Sequence, residues 1–84
     1  MIEIKAGFLK CEEYTFYARG DVNFHETECW ININSIQHLS YEKDSNDYEY
    51  ISLGVDFDDS IESYLGLTNT TIPDLLTALQ EARR

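Results

Sequence analysis

Positive charge is scarce in this chain. Its 84 residues hold 6 Lys and Arg against 16 Asp and Glu, a formal net charge of −10. The bases are scattered: Lys5, Lys10, Arg19, Lys43, Arg83 and Arg84. Phosphate contacts need clustered Lys and Arg, so direct nucleic-acid binding is not expected. An anionic membrane surface would repel the chain for the same reason. Glycine occurs four times, at isolated positions, and proline once. There is no glycine-rich phosphate loop and no Gly-x-Ser-x-Gly elbow, so neither a cofactor nor catalysis is expected. No apolar run approaches the roughly 18 residues of a membrane span. The start, Met1-Ile2-Glu3-Ile4-Lys5, alternates and lacks a signal peptide's apolar stretch. A cytoplasmic protein is therefore expected, with Cys11 and Cys29 as reduced thiols.

The length allows one domain over residues 1–84. A domain this small buries only about 60% of its unfolded-chain surface. Aromatics must help, and they make up 13% of the residues. There is too little chain for a doubly wound sheet with a cofactor crevice.

Period-2 patterns dominate the first two thirds of the chain. Ile2, Ile4 and Ala6 alternate with Glu3 and Lys5. Cys11 to Arg19 is rich in strand formers, with Tyr14, Phe16 and Ala18 on one face, and Gly20-Asp21 reads as a turn. Residues 22–28 fit either a return strand or a loop. Cys29, Ile31 and Ile33 alternate towards a core, and Asn34-Ser35 marks a bend. The step from Ile36 to Leu39 predicts a bulge. Tyr48 to Asp56 is the clearest strand, with Ile51, Leu53 and Val55 inward and Tyr48 and Tyr50 outward. Residues 38–56 thus read as one β-hairpin around a polar turn of about four residues. Ile61 to Leu67 predicts a last strand.

The period then changes. Ile72, Leu75, Leu76 and Leu79 fall at helical spacing. Thr71 is placed to cap that helix, with Asp74 three residues on. Pro73 fits the first turn, and Arg83 and Arg84 suit the C-terminal dipole. The expected class is α+β: an antiparallel β-meander of four to six strands packed by one C-terminal helix.

The stretch Asn32-Ile33-Asn34-Ser35-Ile36-Gln37-His38-Leu39, a polar turn, Ile51-Ser52-Leu53, then Thr71 and an apolar helix, is similar to small FlbD-like flagellar β-proteins. The resemblance covers roughly residues 30–80 and rests on spacing. It implies a hairpin followed by a short helix and carries no function. Where that family has a turn glycine, this chain has Asp56-Phe57-Asp58.

Several residue groups invite a chemical reading. Asp56-x-Asp58-x-Ser60-x-Glu62 begins like a calcium loop, but Ile61 and Leu67 stand where glycine and a bidentate glutamate are needed. Cys11, His25, Cys29 and His38 are zinc-ligand types without a Cys-x-x-Cys knuckle. Solvated acids and buried thiols explain these groups better, so no metal site is expected. Arg19-Gly20-Asp21 spells an adhesive tripeptide, yet a hairpin turn accounts for it.

Acidic clustering is the strongest signal. Residues 42–62 hold eight acids against Lys43 alone, a net −7. With Tyr48 and Tyr50 outward, they suit a protein interface, since tyrosine supplies area and a hydroxyl. The expected partner-binding residues are Glu42, Asp44, Asp47, Tyr48, Glu49, Tyr50, Asp56, Asp58, Asp59 and Glu62. The expected partner is a protein with a basic surface, because carboxylates can imitate phosphates. Small phage inhibitors, including some anti-CRISPR and glycosylase-inhibitor proteins, are similar in size and charge. The competing expectation is a structural or regulatory assembly module that pairs through an apolar or edge-strand surface. The oligomeric state is left open.

Overall fold

The computed structural model describes residues 2–55 and 64–83. Six antiparallel strands form one curled sheet, and a single helix follows: the α+β meander that the patterning predicts. The strands are β1 (Ile4–Lys5), β2 (Phe8–Phe16), β3 (Val22–Asn32), β4 (Ile36–Lys43), β5 (Glu49–Val55) and β6 (Tyr64–Leu67). The helix α1 spans Ile72–Ala82.

β3 runs along one side of β2 from Phe8 to Phe16. β1 and β6 share the other side, at Phe8–Leu9 and Glu12–Tyr14 respectively. β5 then joins β6, and β4 joins β5. The outer strands of this sheet are thus β3 and β4. Yet they are consecutive in the chain, linked only by the 3₁₀ turn Ile33–Ser35. A three-residue link between opposite edges forces the sheet to curl.

Opposite residues in an antiparallel pair share a face, so the register sorts the side chains. One face carries Leu9, Cys11, Ile31, Ile51, Leu53, Leu65 and Leu67, and Leu75 and Leu79 of α1 pack on it. The other face carries Tyr14, Phe24, Tyr50 and Tyr64. Residues 22–28 are strand, with an irregular register. Glu12 opposes Glu28 but Tyr14 opposes Phe24, so β3 takes four steps where β2 takes two. These extra residues bring Phe24 onto Tyr14, with ring centroids 4.9 Å apart. Phe16, expected beside Tyr14, is half-exposed.

The helix starts as its sequence predicts. The Thr71 hydroxyl accepts from the Asp74 N–H, and Pro73 occupies the first turn. At its end, Arg83 does more than face a dipole. Its guanidinium donates to the Ile33 carbonyl at 3.2 Å, tying the helix to the turn between the outer strands. Leu75 is fully buried, whereas Leu76 is about half exposed. Leu75→Ala is expected to cost about 2–5 kcal/mol in urea unfolding. Leu76→Ala should stay within about 0.5 kcal/mol. Equal losses would contradict this packing.

Candidate functional site

The acidic hairpin β4–β5 does not present its acids on one face. Glu42 pairs with Tyr50 and lies on the aromatic side of the sheet. Glu49 pairs with Lys43 and lies on the helix side, 3.7 Å from the Lys43 ammonium. Both carboxylates are exposed. Asp56, Asp58, Asp59 and Glu62, and the possible cation loop they begin, lie outside the described residues.

Two of the expected contact residues are buried in the framework. Tyr50 was expected outward, but it is buried, with 6% exposure. Its neighbour Ile51 is buried on the opposite face, so both faces of β5 are covered there. The aromatic cluster is the reason. The Tyr50 ring lies 5.2 Å from Tyr14 and 5.6 Å from Phe24. The Tyr14 hydroxyl meets the Ser52 hydroxyl at 3.1 Å across β6. Burial is the main cause that pushes both phenols above the usual tyrosine range.

Asp44 is the second. It is the one buried charged residue among those described. Its Oδ1 accepts from the N–H groups of Asn46 and Tyr48, both at 2.9 Å, which shapes the β4–β5 turn. Its Oδ2 accepts from the Val22 N–H at 3.2 Å, where β3 begins. The Ser45 N–H also donates to the Gly20 carbonyl. One carboxylate therefore joins the tips of two hairpins. Burial pushes the Asp44 carboxyl up, but the N–H groups of Tyr48, Val22 and Asn46 outweigh it and hold it below its ordinary value.

The remaining expected residues gather beside this junction. Asp47 is exposed and adopts a left-handed backbone at φ 60°, which Asp tolerates better than most residues. Tyr48 is 45% exposed, and its ring centroid is 6.1 Å from that of Phe24. Between them lies an open cleft of about 540 Å³, lined by Val22, Asn23, Phe24, Asp44, Asn46, Asp47 and Tyr48. It contains two carboxylates, two aromatic rings and no base. Nearby Asp21 is paired with Arg19 at 2.7 Å, so the adhesive-like tripeptide is a self-bridged turn. Val22, Asn23 and Phe24 were not expected here. Finding them needs the register of β3, which its irregular stretch conceals.

Of the zinc-ligand types, Cys11 and Cys29 lie opposite one another, and both histidines are engaged elsewhere. His25 bonds Thr15 at 2.7 Å, while the His38 ring covers Gly54 across β4–β5. Among the described residues, no three His, Cys, Asp or Glu side chains form a metal-binding group. No described helix is long and apolar enough to cross a membrane. No family model, curated protein or solved structure matches the chain.

The depressed Asp44 carboxyl fixes the sign of a pH effect. A group with a lowered folded-state pKa stabilises above its unfolded value and loses that contribution as pH falls through the folded one. Asp44→Asn should therefore lower the urea midpoint at neutral pH. The deficit should begin to shrink as pH falls below about 4, the ordinary value of an unfolded carboxyl, and disappear only once pH has fallen through the lower folded-state value. A deficit independent of pH would contradict the role of its charge.

Proposed function

We propose that this protein is a small acidic protein-binding module that occupies a basic, nucleic-acid-binding surface of a partner, as phage-type inhibitors do. The observation that carries this reading is the cleft at the β4–β5 tip, where exposed Asp47 and Tyr48 lie beside Phe24 and Asp44 with no lining base. An arginine or lysine of the partner fits such a place: carboxylates supply charge and the Tyr48 ring supplies a cation–π face. Glu42 extends the negative surface along the aromatic side. Only two ion pairs form among the described residues, Arg19–Asp21 and Lys43–Glu49. Most carboxylates thus keep their charge available for long-range steering. Asp44 braces the tip and adds its charge to the cleft, and Tyr50 supports the site from the aromatic cluster.

A second reading has its own observation. β4 is an outer strand that pairs only with β5 among the described strands. Beside it, Ile36, Leu39, Ile72 and exposed Leu76 line a groove of about 320 Å³. A strand of a partner protein added to β4 would cover that groove.

Salt separates the two, because interactions between exposed charges are screened beyond about 8 Å at physiological ionic strength, and at shorter range in more salt, whereas apolar contacts are not. Binding of an oligo-arginine peptide should fall steeply with salt. Tyr48→Ala should weaken it roughly two- to five-fold, the equivalent of about 0.5–1 kcal/mol. Asp47→Asn should weaken it without moving the urea midpoint. Binding that ignores salt and Tyr48, but is lost in Leu76→Asp, would favour the β4 groove.

A further inference from the structure

Cys11 of β2 and Cys29 of β3 stand directly opposite one another. Their side chains therefore share one face of the sheet, the helix side, where Cys29 packs against the core that contains Cys11. Opposite Cα atoms in an antiparallel pair are about 4.5–5.5 Å apart. A disulfide spans Cα separations of about 4.4–6.8 Å. The backbone is thus already placed for a bond, yet both cysteines are free thiols. We infer that Cys11 and Cys29 form a dithiol modification site that a small disulfide, such as oxidised glutathione, converts to a cross-strand disulfide.

The two sulfurs have unequal roles. Cys11 is 1% exposed, whereas Cys29 is only partly covered. Burial, then the neighbouring Cys29, pushes the Cys11 thiol up to about 12, so it keeps its proton at neutral pH. Cys29 is the point of attack. Its thiolate sulfur attacks one sulfur of oxidised glutathione, and that S–S bond breaks. A mixed disulfide forms on Cys29, and the first glutathione thiolate leaves and takes up the proton that Cys29 lost to solvent. The Cys11 thiol gives up its proton as its sulfur attacks the Cys29 sulfur, the bond between Cys29 and glutathione breaks, and the departing second glutathione thiolate takes up that proton. Two protein thiols are oxidised and one glutathione disulfide is reduced to two thiols.

The product would fasten β2 to β3 next to the irregular stretch of β3, just beyond Glu28. It would lock the register that carries Phe24 to the aromatic cluster.

The test treats the folded full chain with oxidised glutathione, alkylates residual thiols in denaturant, and reads intact and peptide masses. The wild type should lose two hydrogens, yield a linked Cys11–Cys29 peptide and return to the dithiol with a reducing agent. Its urea midpoint should rise on oxidation. Cys11→Ala, which keeps a small apolar side chain in the core, should stop at a glutathione adduct on Cys29. Cys29→Ser should stay unmodified. A stable glutathione adduct on the wild type, a disulfide between two chains, or two thiols that both remain alkylatable would each overturn the inference. The wild-type masses decide it even if a variant fails to fold.

Discussion

Everything at the β4–β5 tip of this molecule depends on one carboxylate. Asp44 accepts three backbone N–H groups from two hairpins, Asn46 and Tyr48 in its own turn and Val22 across the gap. A buried charge is costly unless it is fully hydrogen-bonded, and this one is. The outer strands β3 and β4 are joined covalently at one end by Ile33–Ser35 and electrostatically at the other by Asp44. Arg83 reinforces the first junction from the helix. A sheet pinned at both ends of its two edges has little freedom to flatten.

That curl produces a domain with two small cores instead of one. The aliphatic core is covered by α1, and the aromatic cluster covers itself. Gly66 is the floor of the second. A Cβ there would lie 2.7 Å from the Ile51 carbonyl oxygen and 3.1 Å from the Phe24 ring. The missing side chain lets Phe24 settle over β6 and meet Tyr14. Aromatic pairs contribute about 0.5–1.5 kcal/mol beyond their burial, which matters in a domain with so thin a stability margin.

The elements of this fold were legible because each had a strong local period. Ile51, Leu53 and Val55 announced β5, and Thr71 with the Ile72–Leu75–Leu79 spacing announced α1. Tyr50 was misjudged because alternation assumes that the second face of a strand meets solvent. Here that face carries its own cluster, assembled from β2, β3, β5 and β6, and no local pattern encodes it. The structural role of Asp44 is hidden in the sequence for a related reason. In a run of acids, nothing local distinguishes the carboxylate that binds backbone N–H groups from those left in water. The bonds to Asn46 and Tyr48 stay within the polar turn, but the bond to Val22 is a tertiary contact. Glu42 and Glu49 shared a segment, yet only the register reveals that they face opposite ways.

The functional reading follows from this sorting of acids into structural and available ones. Asp44 stiffens the tip, and Asp47 and Tyr48 are presented on it, so a contact made there would start from an ordered surface and lose less entropy on binding. The most direct measurement of this account is native-state hydrogen exchange at the Val22 amide, compared with the amides of Leu9 and Ile51 in the core. If Asp44 clasps the two hairpins, Val22 should exchange only in openings close to global unfolding, and Asp44→Asn should accelerate it far more than it accelerates the core amides. Exchange of Val22 at the rate of an open turn in the wild type would show that the hairpin tips are not joined and would contradict the account.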